Sequence, residues 1–255
     1  KFMPMMLRSL PEMYRHHIRV DVAFVPVSRP DADGCCGLGI SNYAWRTIFE
    51  NARTVIFEIN ERLPRLQGVD GSHRVHLSEA DFIVEGEHEP LPIRTYRDPS
   101  AVDIEIAKRV VEEIPDGACL QLGIGGIPNA VCAQLWDKKD LGLHSELVGD
   151  GVVDLLEAGI INNKKKNKNP FRTILGAAFG SEKLNNYINN NPSVELHPIN
   201  YVNNPSVIAQ NDNMVSINSC LQIDLLGQVV SDTVGLNQYS AVGGQVDFVR
   251  DRKST

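Results

Sequence analysis

Long apolar runs are missing from this chain of 255 residues. None approaches the roughly 18 consecutive apolar residues that indicate a membrane-spanning helix. The first residues, KFMPMMLRSL, also lack the extended hydrophobic region and the small-residue cleavage site of a signal peptide. The sequence therefore predicts a cytoplasmic protein that has no membrane partner.

Cysteine is scarce, and its spacing is irregular. The five cysteines include no C-x-x-C pair, the usual ligand spacing of a structural zinc site. Their odd number does not suit a disulfide scaffold, so we expect free and mostly buried thiols. His73, His76 and His88 are scattered without the regular spacing of a metal site. We therefore expect no bound metal.

Positive charge is also in short supply. The formal net charge is −7, which argues against a general nucleic-acid surface. A dense basic run, NNKKKNKN at residues 162–169, has no aromatic or wider basic support, and we expect it to be a solvated loop. Nucleic acid is therefore not an expected partner. The content of 42% hydrophobic and 22% charged residues is typical of a globular protein.

Apolar runs alternate with helical patterns along the chain, which predicts an α/β fold. Residues 64–97 are rich in proline, glycine, histidine and charge, and predict an irregular linker with one short strand near 74–77. The elements predicted before this linker are a helix over 1–19, a buried strand over 20–27, a helix over 43–51 and a strand over 54–60.

After the linker, Asp98 or Ser100 can cap a helix whose apolar stripe is Val102, Ile106, Val110 and Ile114. The later elements are predicted as helices over 151–158 and 180–190, strands over 171–178 and 194–199, a brief helix within 203–212, two strands within 214–231, and a turn at 243–244.

One stretch, GACLQLGIGGIPNAVCAQLWDKKDLGLHSELVGDG, combines several chemical features. It predicts a buried strand, a glycine turn with Gly123, Gly125 and Gly126, and a helix that begins near Pro128. A second strand follows and ends near Glu146. Because ligands bind beyond the carboxyl ends of the strands in an open α/β sheet, we expect the turn and Glu146 to face one site.

Several functions compete for this stretch. A dinucleotide site needs G-x-G-x-x-G and an acidic residue about 20 residues further on. Glu146 has a suitable distance, but Pro128 stands where the third glycine belongs. Alternatively, Glu146 acts as a nucleophile, and the turn amides stabilise an oxyanion. The third interpretation is an exposed strand-end glutamate beside a turn that only reverses the chain.

Segments from most of the chain resemble the acetyl-CoA hydrolase/transferase family of class I CoA-transferases, especially the 4-hydroxybutyrate and butyryl-CoA:acetate CoA-transferases. These segments are VDVAFVPVSRPDADGCCGLGIS, LQLGIGGIPNAV, LGLHSELVGDGVVDLLEAG, NNPSVIAQNDNMVSINSCLQIDLLGQVVSDTVG and QYSAVGGQVDFVR. The resemblance implies two α/β units with mixed or parallel sheets of the CoA-transferase type, truncated at both ends. Residues 1–97 would be the C-terminal part of the first domain plus a linker. Residues 98–255 would be the N-terminal part of the second domain, which carries the catalytic glutamate.

The resemblance also implies roles for individual residues. Glu146, in the segment His-Ser-Glu, would be the nucleophile that attacks acyl-CoA, and the backbone amide of Ile124 would be an oxyanion-hole donor. Asn218 matches the family's motif without an assigned role, and Gln222 stands where some relatives carry glutamate. The residues expected on the CoA-binding side are Gly123, Gly125, Gly126, Gly243, Gly244 and Gln245.

These roles imply an enzyme that transfers CoA between a short-chain acyl-CoA, of the butyryl or 4-hydroxybutyryl type, and a carboxylate such as acetate. The reaction would pass through a glutamyl-CoA thioester. CoA is then a substrate, no cofactor is permanently bound, and a homo-oligomer is expected by analogy. The alternatives are an acetyl-CoA hydrolase that uses the same glutamate, an NAD-binding oxidoreductase, and an inactive fragment that packs against another chain.

Overall fold

The computed structural model describes residues 3–68, 71–89, 91 and 98–251. The end of the predicted linker, 92–97, and the predicted domain boundary lie outside the described residues. The elements before that gap, in chain order, are α1 Leu10–His16, β1 Val20–Val27, β2 Cys35–Gly37, α2 Trp45–Asn51, β3 Ala52–Ile59, β4 Arg74–His76 and β5 Phe82–Glu85. Short 3-10 helices cover Leu7–Ser9 and Leu77–Glu79.

The first sheet is parallel and has the strand order β1-β3-β5. Strand β4 is the short strand expected near 74–77, and it pairs with β2 in an antiparallel ribbon. Strand β5 was missed because the expectation for this region was an irregular linker. Its sequence, Phe-Ile-Val-Glu, does not alternate between apolar and polar residues, and all four residues are exposed. Its pairing with β3 defines it instead.

Strand β1 has the predicted bounds, but the prediction that it is a buried strand was wrong. Val25 and Val27 are fully buried against the α2 side, where Phe49 and Phe57 complete the core of this unit. On the opposite face, Phe24 is 53% exposed. A continuous apolar run therefore does not distinguish burial on two faces from burial on one.

The second unit contains a larger sheet, and its elements begin with a helix. They are α3 Ala101–Glu112, β6 Cys119–Gln121, α4 Gly126–Cys132, β7 Gly142–Val148, α5 Gly151–Glu157, β8 Thr173–Ala178, α6 Glu182–Ile188, β9 Val194–Leu196, α7 Ile199–Val202, α8 Pro205–Ile208 and β10 Met214–Ser216. After these come short hairpin strands and a last helix, β11 Gln222–Ile223, β12 Val229–Val230, β13 Thr233–Val234, β14 Asn237–Gln238 and α9 Gln245–Asp251.

All the pairings in the second sheet are parallel, and its strand order is β10-β6-β7-β8-β9. Strands β6 and β8 are buried along their whole length, as expected for inner strands covered on both faces. The predicted α/β fold with parallel sheets is confirmed. Because β6 and β7 are neighbours, the glycine turn after β6 and Glu146 near the end of β7 lie at the same edge.

Helix α3 begins as predicted, and half of the predicted apolar stripe is confirmed. Ile114 is 1% exposed and Val110 packs against the core, whereas Val102 and Ile106 are exposed. Ser100 and Asp103 form a capping box, in which the Ser100 amide donates to the Asp103 carboxylate over 2.8 Å. Ala107 is fully buried and Asp103 nearly so, whereas Val102 is 67% exposed. The apolar residues of this helix do not all lie on one face, so their spacing alone could not fix which side meets the core.

The basic run 162–169 is only in part the solvated loop that was expected, because Lys164, Lys165 and Asn167 are exposed but Asn163 and Lys166 are buried. Lys166 is only 5% exposed, and its Nζ donates to the carbonyl oxygens of Leu143 and Arg172 over 3.0 and 2.7 Å. Asn163 is also buried, and its Oδ1 accepts from the Leu143 amide over 2.8 Å. Burial lowers the pKa of Lys166 to about 8. This loop therefore holds the beginning of β7 in place.

No helix within the described ranges is both long and apolar enough to cross a bilayer.

Replacing Lys166 with methionine should lower the free energy of unfolding by about 1–3 kcal/mol, because two carbonyl groups lose a buried donor. The matched control is Lys165→Met, since Lys165 is exposed in the same run. The control should change the unfolding free energy by less than about 0.5 kcal/mol. Urea denaturation measures both values, and equal small changes would contradict an anchoring role for Lys166.

Candidate functional site

Glu146 lies near the carboxyl end of β7, where alternate side chains point to the same face of the sheet. His144, two residues earlier, is fully buried, and its Nε2 lies 2.8 Å from the carbonyl oxygen of Val202. Burial lowers the pKa of His144 to about 3, so this ring is neutral at ordinary pH. Glu146 is partly buried at the edge of a cavity, and the strand therefore presents its carboxylate to that cavity.

The cavity has a volume of about 230 Å³ and brings together five separate stretches of the chain. They are the end of β6 with its glycine turn, the end of β7, residues 218–219 after β10, Ser231, and the loop before α9 with the beginning of that helix. The predicted site residues that line the cavity are Gly123, Ile124, Glu146, Gly243, Gly244 and Gln245. Gly125 and Gly126, which were also predicted, are not among its lining residues.

Gly125 contributes to the turn through its backbone conformation. Its φ of +117° belongs to the region that L-amino acids rarely adopt, although a Cβ at this position would meet nothing within 4 Å. Helix α4 begins at the next residue, Gly126. The turn therefore depends on Gly125, and it places the backbone of Gly123 and Ile124 at the cavity that also holds Glu146.

The loop before α9 packs directly against the Glu146 carboxylate. A Cβ at Gly244 would overlap both Oε2 of Glu146 and Nδ2 of Asn203. Only glycine can therefore occupy this position without displacing one of those groups. The loop is also held from outside, because the Leu7 amide donates to the Gly243 carbonyl oxygen over 3.1 Å.

Asn203 is a site residue that no sequence argument identified. Its side chain is fully buried, and Nδ2 donates to Oε2 of Glu146 over 2.5 Å. Helix α7 fixes this position, because the Asn203 amide donates to the carbonyl oxygen of Ile199 over 2.9 Å. The sequence offered one signal for Asn203, the segment NNPS at 203–206, which lies in a stretch that resembles the family. A single asparagine there indicates only a turn.

The electrostatic setting of Glu146 opposes its negative charge on balance. Burial is the largest effect and raises the pKa of this carboxyl above its ordinary value, whereas the hydrogen bond from Asn203 lowers it. The nearby Asp247 carboxylate raises it further. Tyr43 faces the same carboxylate, and its own pKa is raised by burial and then by Glu146. Glu146 is thus a carboxylate with reduced hydration and few compensating charges.

Asn218 lines the same cavity and belongs to a hydrogen-bond network at the ends of β6 and β10. Its Nδ2 donates to Gln121 Oε1 over 3.0 Å and to Ser216 Oγ over 2.8 Å. This network holds the Asn218 side chain at the cavity wall. Gln222, by contrast, is exposed on β11 and does not line the cavity.

A metal-ligand cluster does not occur in the described part of the chain, where no group of three or more His, Cys, Asp or Glu residues could hold an ion. The five cysteines are free, and three of them, Cys36, Cys119 and Cys132, are buried. The polar groups that line the cavity are a carboxylate, side-chain amides, serine hydroxyls and backbone groups.

Comparison with known proteins gives consistent matches over almost the whole chain. Residues 1–94 match the acetyl-CoA hydrolase/transferase N-terminal domain, and residues 180–254 match the C-terminal domain of the same family. The 4-hydroxybutyrate coenzyme A transferase of Clostridium kluyveri is 46% identical over 98% of this chain and 57% of its own length. The butyryl-CoA:acetate CoA-transferase of Anaerostipes caccae is 40% identical over 97% of this chain and 56% of its own length.

A solved structure agrees with these matches. The 4-hydroxybutyrate CoA-transferase from Porphyromonas gingivalis superposes with a TM-score of 0.85 and 39% identity, covering 96% of this chain and 58% of that one. The chain thus spans a little over half the length of the relatives that it matches.

Replacing Gly244 with alanine should lower the free energy of unfolding by about 1–3 kcal/mol, because the new methyl group must push the Glu146 carboxylate or the Asn203 amide aside. The matched control is Gly86→Ala, since a Cβ at Gly86 meets nothing within 4 Å and its φ is not positive. The control should stay within about 0.5 kcal/mol of the unaltered protein. Thermal or urea unfolding measures both, and a neutral Gly244→Ala variant would contradict the packing described above.

Proposed function

The chain belongs to the acetyl-CoA hydrolase/transferase family, and we propose on this premise that the protein transfers CoA from a short-chain acyl-CoA to a carboxylate. The observation that carries the proposal is the position of the Glu146 carboxylate, which shares one cavity with the glycine turn after β6 and the loop before α9. The shared cavity supports the proposal, because a candidate nucleophile and candidate oxyanion donors both line it.

The proposed reaction begins with attack by ionised Glu146 on the acyl-CoA carbonyl. The C–S bond breaks, CoA leaves as a thiolate, and a mixed anhydride joins the acyl group to the glutamyl carboxyl. The thiolate then attacks the glutamyl carbonyl, which releases the first carboxylate and leaves a glutamyl-CoA thioester. An incoming carboxylate reverses both steps. The energy of the thioester bond is retained throughout, so the exchange needs no ATP.

Each attack creates a tetrahedral intermediate whose oxygen carries negative charge. We propose that the backbone amide of Ile124 donates to this oxygen, in the low-polarity setting where such donors are most effective. Losing one donor of this kind typically costs about 10²–10³ in rate. The backbone of Gly243 and Gly244, with Gln245, is proposed to line the CoA side of the same cavity. Gly123 lines the cavity as part of the turn after β6. Gly125 and Gly126 shape that turn but do not line the cavity.

Asn203 has a distinct proposed role, which is to hold the nucleophile in its reactive state. Attack requires an ionised carboxylate, yet burial and Asp247 both raise the pKa of Glu146. The hydrogen bond from Asn203 favours the ionised form and fixes the orientation of the carboxylate. A carboxylate that is poorly hydrated but well oriented is more reactive toward a thioester than one in water.

The substrates are proposed from the relatives, whose names specify 4-hydroxybutyrate in one and butyryl-CoA with acetate in the other. We therefore propose a butyryl or 4-hydroxybutyryl thioester as donor and acetate as acceptor, with CoA as substrate and no permanently bound cofactor. Hydrolysis by the same glutamate is the second candidate, since water that reached the glutamyl thioester would complete it. A cytoplasmic location and a homo-oligomer stay predictions, as do the domain boundaries at 97 and 98.

Replacing Glu146 with glutamine should abolish CoA exchange, because the neutral amide is not a nucleophile, while the fold persists. Incubation of the unaltered protein with butyryl-CoA followed by borohydride should leave a reduced product at Glu146 that mass spectrometry detects. The control is Glu157→Gln, which changes the last residue of α5 outside the cavity. Active protein with unmodified Glu146 would rule out the proposed nucleophile.

Ligand-induced stabilisation should distinguish the transferase from the oxidoreductase. Binding to the folded state raises the unfolding temperature, and the stabilisation grows with the logarithm of the ligand concentration relative to the dissociation constant. We expect CoA to raise it and NAD to leave it unchanged in a thermal-shift titration. Stabilisation by NAD alone would favour a dinucleotide enzyme, and no response to either ligand would favour an inactive fragment.

A further inference from the structure

An ion pair between Arg8 and Asp247 lies outside the cavity, near the proposed catalytic glutamate. Nε of Arg8 lies 2.7 Å from Oδ1 of Asp247. The Asp247 side chain is fully buried, and that of Arg8 is 36% exposed. Arg8 belongs to the 3-10 helix Leu7–Ser9, whereas Asp247 lies in the first turn of α9. The pair therefore joins two segments that are far apart in the sequence.

The same two segments are also joined through their backbones, next to the nucleophile. The Leu7 amide donates to Gly243, and the Asp247 amide donates to the carbonyl oxygen of Gly244 over 3.0 Å. Gly244 is the residue that packs directly on Oε2 of Glu146. A shift of Asp247 would thus move the loop that contacts the carboxylate.

Asn203 connects the ion pair to Glu146 on a second route. Its amide donates to Glu146, and its side chain also favours the ionised form of Asp247. The Asn203 side chain thus favours the ionised form of both carboxylates. Without a cation nearby, Asp247 would repel Glu146 and compete with it for the Asn203 amide. Arg8 supplies that cation.

We propose that Arg8 and Asp247 are positioning residues, whose ion pair holds the Gly244 backbone and leaves the Asn203 amide to Glu146. This inference rests on the proposed function of Glu146 as the nucleophile. Neither Arg8 nor Asp247 lines the cavity, so their effect on the reaction passes through Gly244 and Asn203.

The charged and titratable groups around the two carboxylates allow a pH test. Tyr43 and Asp247 face Glu146 from other elements, and Arg8 and Arg250 favour the ionised form of Asp247. Tyr43 and His144 stay neutral at mildly acidic pH, because the pKa of Tyr43 is raised and that of His144 is lowered to about 3. Asp247 is therefore the group whose removal should move the titration of Glu146.

Four variants test the proposal in the purified protein, namely Arg8→Gln, Asp247→Asn, the double variant, and Arg8→Lys. Arg8→Gln leaves a buried carboxylate without its cation, and kcat should fall by about 10²-fold, a loss typical of a misplaced catalytic group. KM for butyryl-CoA should change little, because neither residue lines the cavity. The double variant should recover about tenfold, since it removes the unpaired charge as well. Arg8→Lys should retain most of the rate.

The pH profile separates a positioning role from a merely structural one. Asp247→Asn removes a negative charge that raises the pKa of Glu146, so the acid limb of kcat/KM should move to lower pH by about one unit. Lost stability by itself would reduce the amount of active protein without moving this limb. Arg15→Gln and Asp154→Asn are the matched controls, because both residues form exposed ion pairs on the protein surface.

The outcomes distinguish a failure of the positioning proposal from a failure of the proposed function. The positioning role is wrong if folded Arg8→Gln and Asp247→Asn variants keep the original kcat and the original acid limb. It is also wrong if their losses of activity only follow their losses of stability. If Arg8→Gln does not fold, the double variant and the pH profile of Asp247→Asn decide the question in the same way. If the unaltered protein forms no adduct at Glu146, the nucleophile itself is wrong.

Discussion

The site depends on the groups that replace water around the Glu146 carboxylate. Removing a carboxylate from water costs several kcal/mol unless other groups take over its hydration. Here one amide, that of Asn203, donates to Oε2 at 2.5 Å, and the Gly244 backbone packs against the same oxygen. A second carboxylate, Asp247, lies nearby and makes the arrangement less favourable until Arg8 offsets its charge.

The architecture of the second sheet explains why such a carboxylate can be held in place. Parallel strands bring their carboxyl ends to one edge, and there the turn after β6 meets the end of β7. The buried loop around Lys166 fixes the beginning of β7, so the strand is anchored at the end opposite to Glu146. A nucleophile on an inner strand moves less than one on a surface loop, which suits a reaction that depends on orientation.

The proposed thioester exchange would draw its reactivity and its binding energy from different places. The Glu146 carboxylate lines a cavity of about 230 Å³, a small setting that suits a poorly hydrated nucleophile. A CoA nucleotide is far larger, and its binding energy can be used at the distant carbonyl. The chain spans a little over half the length of the relatives that it matches, and the activity stays a proposal.

The sequence by itself determined the alternation of strands and helices, the glycine turn and the glutamate at a strand end, because backbone geometry and local burial leave periodic patterns. It did not determine the buried face of α3 or the burial of Lys166, since each depends on what packs against it. Asn203 and the Arg8–Asp247 pair were decided only by the tertiary structure. Residues that meet across long stretches of chain leave no periodic signal, and their interaction exists only once the sheets and loops have brought them within hydrogen-bonding distance.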